Sequence, residues 1–138
     1  MKVPILLYHS ISLDSADRFR KWTLPPQQFG EHLAFFQQEG YTPVRITDLV
    51  NAFTTPAVPL PERPIAITFD DGFADFRQNA LELLARWSSP ATIFITTGYI
   101  GETSRWLADL GEGERPMMSW AQIAELPDYG VEIGAHSM

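Results

Sequence analysis

The stretch Ile65-Ala66-Ile67-Thr68-Phe69-Asp70-Asp71-Gly72 decides the fold class. Its alternation predicts a strand with Ile65, Ile67 and Phe69 on one face and Ala66, Thr68 and Asp70 on the other. The apolar run stops abruptly at two adjacent carboxylates and a glycine that lets the chain turn sharply away. Downstream, Phe76, Ala80, Leu83, Leu84 and Trp87 repeat at helical spacing and predict a helix over 74–88, closed by Ser89-Pro90. A second β-branched run then covers Ala91 to Thr97. Strand, helix and strand in this order imply parallel strands joined by a crossover helix.

The same grammar extends in both directions. Toward the N-terminus, Thr42 to Ile46 reads as a short strand, and Thr47 as the cap of a helix through Phe53. Pro56, Pro59, Pro61 and Pro64 make the following segment an extended linker. Pro25-Pro26 open a helix whose Phe29, Leu33 and Phe36 form one apolar stripe, and Val3 to Tyr8 is a buried strand ending at His9. Ser12 to Thr23 reads as loop. Toward the C-terminus, Tyr99 to Arg115 reads as loop with one helical turn at 104–110. Ser119 with Gln122 forms a capping box for a helix through Leu126, and Val131 to Ala135 is a last strand ending at His136. The expectation is an α/β fold.

Composition narrows the function classes. The 138 residues suit one domain, with 10 basic and 17 acidic residues giving a formal net charge of -7 and no basic run. That balance argues against nucleic acid as partner. With no cysteine, any metal must be held by His, Asp or Glu. No stretch is long and apolar enough to span a membrane, and no signal-peptide pattern opens the sequence. Localisation is left open.

Parallel α/β folds place their sites at the C-terminal ends of the strands. His9, Asp70-Asp71-Gly72, Thr96-Thr97-Gly98 and His136 all fall there. Two adjacent carboxylates repel, and a cation relieves the repulsion while leaving one carboxylate free to serve as a base toward water. Asp70 and Asp71 with His136 are therefore candidates, and His9 and Gly72 are candidates to line the site. Small Gly134 is expected to leave room beneath His136. Among the tryptophans, Trp106 is the expected exposed platform for a sugar ring, whereas Thr96-Thr97-Gly98 reads as strand-end structure. No nucleophile elbow, phosphate loop or dinucleotide fingerprint is present.

In order, 5–11, 29–44, 68–72 (Thr-Phe-Asp-Asp-Gly), 90–94, 98–101, 120–126 and 130–137 resemble the polysaccharide deacetylases of carbohydrate esterase family 4, which share the NodB-homology domain, and most closely the poly-N-acetylglucosamine deacetylase subgroup. The resemblance implies a distorted (β/α) barrel, of which residues 1–138 would be the N-terminal part. It implies Asp70 as the base that activates water, Asp71 and His136 as ligands of a divalent metal such as zinc, and removal of N-acetyl groups from an N-acetylated polysaccharide. The family's second motif carries a further His four residues after the first, and the sequence stops at Met138 before that position. Two alternatives accompany this expectation: a catalytically incomplete glycan-binding remnant, and an esterase acting on O-acetyl groups of xylan.

Overall fold

A computed structural model describes residues 2–55 and 58–137. Its frame is a five-stranded, all-parallel sheet built from β1 (Ile5–Tyr8), β4 (Thr42–Val44), β5 (Pro64–Phe69), β6 (Ala91–Thr96) and β7 (Val131–His136), in the order β1-β5-β6-β7. The short β2 (Ser10–Ile11) and β3 (Thr23–Leu24) pair with each other, also in parallel. Strand β4 shares a flank of β5 with β6: Thr42 to Val44 lie opposite Pro64 to Ala66, and Thr92 and Ile93 lie opposite Thr68 and Phe69. The sheet thus forks, and the fork is closed by polar groups. Thr92 Oγ1 accepts from the amide of Ile46 at 3.0 Å and donates to the Glu132 carboxylate at 2.7 Å, which also accepts from the amide of Thr47. These are first-turn amides of α2 (Ile46–Thr54) that have no partner within the helix.

Central strand β5 is buried at all six positions, as expected for a parallel strand covered on both faces. On one side α1 (Pro26–Gln38) lays Phe29, Leu33 and Phe36 against it. Tyr8, Phe29, Phe69 and Phe76 form a chain of ring contacts with centroids 4.7–5.6 Å apart, mostly edge to face. A fully buried Phe contributes about 1.5–3 kcal/mol, so this cluster is the main anchor of the helical layer. Among the described residues, no helix is long and apolar enough to cross a membrane.

Several local expectations are corrected. The helix after β5 is not one regular α-helix: a π-helical turn over Phe76–Ala80 precedes α3 (Leu81–Arg86). Its wide turn coincides with Asp75 and Asn79 both reaching back to the Ser10–Ile11 segment, whose backbone they bind. Helix α2 starts at Ile46, with Arg45 at its cap position and the Asp48 carboxylate accepting the Arg45 amide, so the strand before it ends at Val44 and Thr47 is already helical. The Ser12–Thr23 segment contains a 3-10 turn at Arg20–Trp22. The turn at 104–110 is 3-10, over Arg105–Leu110. The Ser119–Gln122 capping box forms as expected and opens α4 (Trp120–Glu125), which tightens into a 3-10 turn at Leu126–Tyr129. Of the proline linker, Leu60 packs on Val44, Leu49 and Ala66; Pro56, like Met138, lies outside the described residues.

Candidate active site

The loop 70–72 is gripped from three sides through its backbone. The amide of Asp70 donates to the Tyr8 carbonyl at the end of β1, and the Asp71 carbonyl accepts from the amide of Thr96 at the end of β6. The Gly72 carbonyl accepts from the amide of Met118. Asp71 has φ +75° and Gly72 φ +89°, so two successive residues lie in the left-handed region. Only Gly is free of cost there, and Asp tolerates it better than most residues. Space is also tight at Gly72: a Cβ on it would sit 2.9 Å from Ile95 Cδ1, so the end of that side chain would have to shift.

The strand-end residues converge as the sequence predicts, with one change of partner. Asp70 Oδ2 lies 3.4 Å from His136 Nε2, so the imidazole faces the carboxylate expected to be the base. The other ring nitrogen of His136 is 3.0 Å from Ser137 Oγ. Asp71 is held above the ordinary carboxylate range by burial, against the pull of His9 and then His136, with Asp70 adding to the rise. His9 and Asp71 line a small pocket of about 130 Å³ with Phe19, Trp22, Leu107 and Leu110.

Gly134 does not leave free space under His136. It lies against the ring of Phe94, and a Cβ there would be 2.6 Å from Phe94 Cδ1. Trp106 is exposed as expected, at 37%, but it is not the most open tryptophan. Trp106 stacks on Phe73 at 6.3 Å and meets Tyr99 at a tilt at 4.6 Å, while Trp120, at the start of α4, is 69% exposed. His32 accepts from or donates to the Tyr8 hydroxyl at 2.9 Å, on the helical side of the sheet.

Thr96 belongs to the site more than its sequence context suggests. It is 5% exposed, stands opposite His136 in the β6–β7 register and binds the Asp71 carbonyl through its amide, yet its hydroxyl has no hydrogen-bond partner among the described residues. The sequence signal for it is weak, because a threonine at a strand end is ordinary β-branched filler. Also unforeseen is a buried cluster of Ser10, Asp75, Glu112 and Arg115 next to this rim.

A catalytic zinc takes three protein ligands and keeps a fourth position open. Asp71 and His136 have the right donor chemistry, a carboxylate oxygen and an imidazole nitrogen. Among the described residues, however, no three His, Asp or Glu side chains gather to hold a metal. The donor set present is thus short of a complete metal site.

Comparison with known proteins follows the same residues. The family model for polysaccharide deacetylases matches residues 57–138, which include the 70–72 loop and β7. The Bacillus subtilis (strain 168) protein YxkH, a polysaccharide deacetylase by name, is 29% identical over 140 residues, covering 99% of this chain and 43% of that protein. The poly-beta-1,6-N-acetyl-D-glucosamine N-deacetylase of Escherichia coli (strain K12) is 30% identical over 134 residues, covering 94% of this chain and 20% of that protein. Among solved structures, the Streptococcus pyogenes deacetylase PplD in complex with acetate superposes with a TM-score of 0.76 at 25% identity, over 99% of this chain and 56% of that one. IcaB from Ammonifex degensii shares the fold, with a TM-score of 0.80 at 23% identity over 97% of this chain and 52% of that one. The chain therefore spans about half the length of its structural relatives. The family match takes in the Asp70-Asp71-Gly72 loop and the strand that ends at His136, and by that match the chain belongs to the polysaccharide deacetylase family.

Proposed function

We propose that the protein acts in hydrolysis of acetamido groups on an N-acetylated polysaccharide, a polymer of N-acetylglucosamine type, with residues 1–138 forming the N-terminal part of a NodB-type domain. The observation that carries this reading is the convergence of Asp70, Asp71 and His136 on one rim. The name of the Escherichia coli relative supports the choice of polymer.

The chemistry follows from the residues. Hydrolysis of an amide needs a base to take a proton from water, a cationic or hydrogen-bonding environment for the oxyanion, and an acid for the departing amine. Asp70, with its side chain 18% exposed, is open enough to meet water and takes the proton. Asp71 and His136 are the portion of a divalent-metal shell that these residues provide, with zinc suited to the donor types; a third donor has to come from outside the described residues. Such a metal, when bound, would polarise the acetyl carbonyl. His9, which lines the same small pocket as Asp71, is our candidate to return a proton to the leaving nitrogen.

The short donor set favours one second reading, a protein that binds the glycan without turning it over. Release of acetate from an N-acetylglucosamine oligosaccharide separates the two. Wild-type turnover with loss of at least a hundredfold in Asp70→Asn supports catalysis with Asp70 as base. Saturable glycan binding without acetate release selects the binding reading, and full activity in Asp70→Asn removes Asp70 from the base role. The same assay on acetylated xylan tests an O-acetyl esterase.

A further inference from the structure

Four charged or polar side chains beside the rim are buried and bound to one another. Asp75 and Arg115 have side chains only 9% exposed, and their Oδ2–Nη1 distance is 3.1 Å. The Asp75 carboxylate accepts from Ser10 Oγ at 2.7 Å and from the amide of Ile11 at 3.1 Å. Arg115 donates to Ser10 Oγ at 3.0 Å and to the Asp14 carbonyl at 2.9 Å, and its guanidinium also pairs with Glu112. Asn79, one turn on, donates to the Ile11 carbonyl at 2.7 Å. The guanidinium lies over the rings of Phe19 and Phe73, 5.3 and 5.6 Å from their centroids.

As a source of stability this arrangement is poor. A buried ion pair recovers little beyond its desolvation cost, and apolar residues of similar volume commonly do as well or better. What it does supply is placement. Ser10 and Ile11 follow His9 directly, and Asp75 lies four residues after Asp71, so the carboxylate joins the two chain segments that carry them. Arg115 leads into Pro116, Met117 and Met118, which bind the amide of Ala74, bridge Phe73 and bind the Gly72 carbonyl. Phe19, under the guanidinium, also lines the pocket between His9 and Asp71. The segments that carry His9 and Asp71, and the ring of Phe19, are thus tied to the cluster.

We propose that Asp75, oriented by Arg115, is a positioning residue that fixes the segment following His9 against the loop carrying Asp71, and so sets the separation of these two side chains. The proposal rests on the deacetylation reading for its effect on turnover, but not for its effect on geometry.

The test compares Ser10→Ala and Asp75→Asn with Ile123→Val, a core substitution in α4 that lowers stability without touching the cluster. Acetate release from an N-acetylglucosamine oligosaccharide gives kcat and KM for the folded fraction, and NMR at one pH reports the imidazole resonances of His9, His32 and His136. Misplacement of reacting groups by about an ångström costs up to a hundredfold, so the two cluster variants are expected to lose on the order of tenfold in kcat with KM within twofold. The His9 resonances shift and those of His32 do not. Ile123→Val changes neither. Unaltered kcat and unaltered His9 resonances in both cluster variants overturn the proposal and leave the cluster a structural pair. If the wild-type protein releases no acetate, the deacetylation reading fails, and the His9 resonances alone decide for or against the clamp. Should Asp75→Asn fail to fold, Ser10→Ala, which leaves the Asp75–Arg115 pair intact, carries the comparison.

Discussion

Gly72→Ala is the sharpest probe of how the loop is built. Two costs add. A residue with a Cβ at φ +89° pays about 1–2 kcal/mol for the left-handed conformation. The new Cβ would also stand 2.9 Å from Ile95 Cδ1 and 3.4 Å from Ile95 Cγ2, inside the 3.5–4.0 Å of a normal carbon contact. Overpacking of this kind costs about 1–3 kcal/mol, and Ile95 is 3% exposed, with little room to yield. Against these, alanine lowers the entropy of the unfolded chain, a gain of about 0.4–1 kcal/mol. The expected net loss is about 2–4 kcal/mol, read from the midpoint of equilibrium urea unfolding at constant slope. The steric share is separable. Ile95→Val removes Cδ1, the nearest atom, and by itself costs about 0.5–1.5 kcal/mol. The double variant should then lie about 1 kcal/mol above the sum of the singles. A loss under about 1 kcal/mol for Gly72→Ala would refute the strain argument. Strict additivity with Ile95→Val would show that the contact with Ile95 is not where the strain resides.

Three further outcomes follow from the same geometry. Burial raises the Asp71 carboxyl above its unfolded value, so the folded state carries the penalty of a buried charge above the folded pKa and is relieved of it as pH falls below the unfolded value near 3.8. Asp71→Asn, which also tolerates the left-handed φ, should therefore melt higher than wild type at pH 7 in the presence of chelator, with the difference shrinking toward pH 3; a lower melt at pH 7 contradicts this. Thr96→Val removes a buried hydroxyl that has no partner among the described residues and should raise stability by about 1 kcal/mol in the same urea assay, whereas a loss would mean that the hydroxyl is bonded in solution. Burial pushes the Tyr8 phenol up to about 12, so an absorbance titration should show one of the four tyrosines ionising late, and stability should fall as pH rises from 10 through 12; loss of the late component in Tyr8→Phe checks the assignment.

How much of this was legible beforehand depends on the range of the interaction. The period-2 and period-3.6 patterns located β5, α1, β6 and β7, because burial of one face is a local property of the sequence. The rim residues His9, Asp70, Asp71 and His136 were legible for the same reason: once strands are parallel, their C-terminal ends share one edge. What failed required knowing a partner far along the chain. The π-helical turn at Phe76–Ala80 coincides with bonds from Asp75 and Asn79 to a segment more than sixty residues earlier. Arg115 in the sequence is one charge in a polar loop, yet its side chain is 9% exposed and binds Ser10 across 105 residues. Trp106 is exposed as expected, yet Phe73 and Tyr99 cover part of it, whereas Trp120 stands more open, because how far an aromatic is exposed depends on whether a second ring meets it.

The distribution of strain and burial around Asp71 has a consequence for how the rim works. Half-buried carboxyl, left-handed backbone and a Thr96 hydroxyl unpartnered among the described residues all lie close together, linked by the bond from the Thr96 amide to the Asp71 carbonyl, and each alone is unfavourable. Such conformations persist only where the surroundings over-determine them. Here the surroundings are the Tyr8 carbonyl, the Thr96 and Met118 amides and the Asp75–Arg115 cluster, none of which touches the Asp71 carboxylate in the hydrogen-bond network. A cation next to Asp71 and His136 would remove the main penalty, that of a desolvated charge, so binding energy and fold stability should be coupled at this position. That coupling requires the variants that loosen the loop, Gly72→Ala above all, to weaken divalent-cation binding along with stability. It also requires Asp71→Asn to trade binding away for a more stable chain.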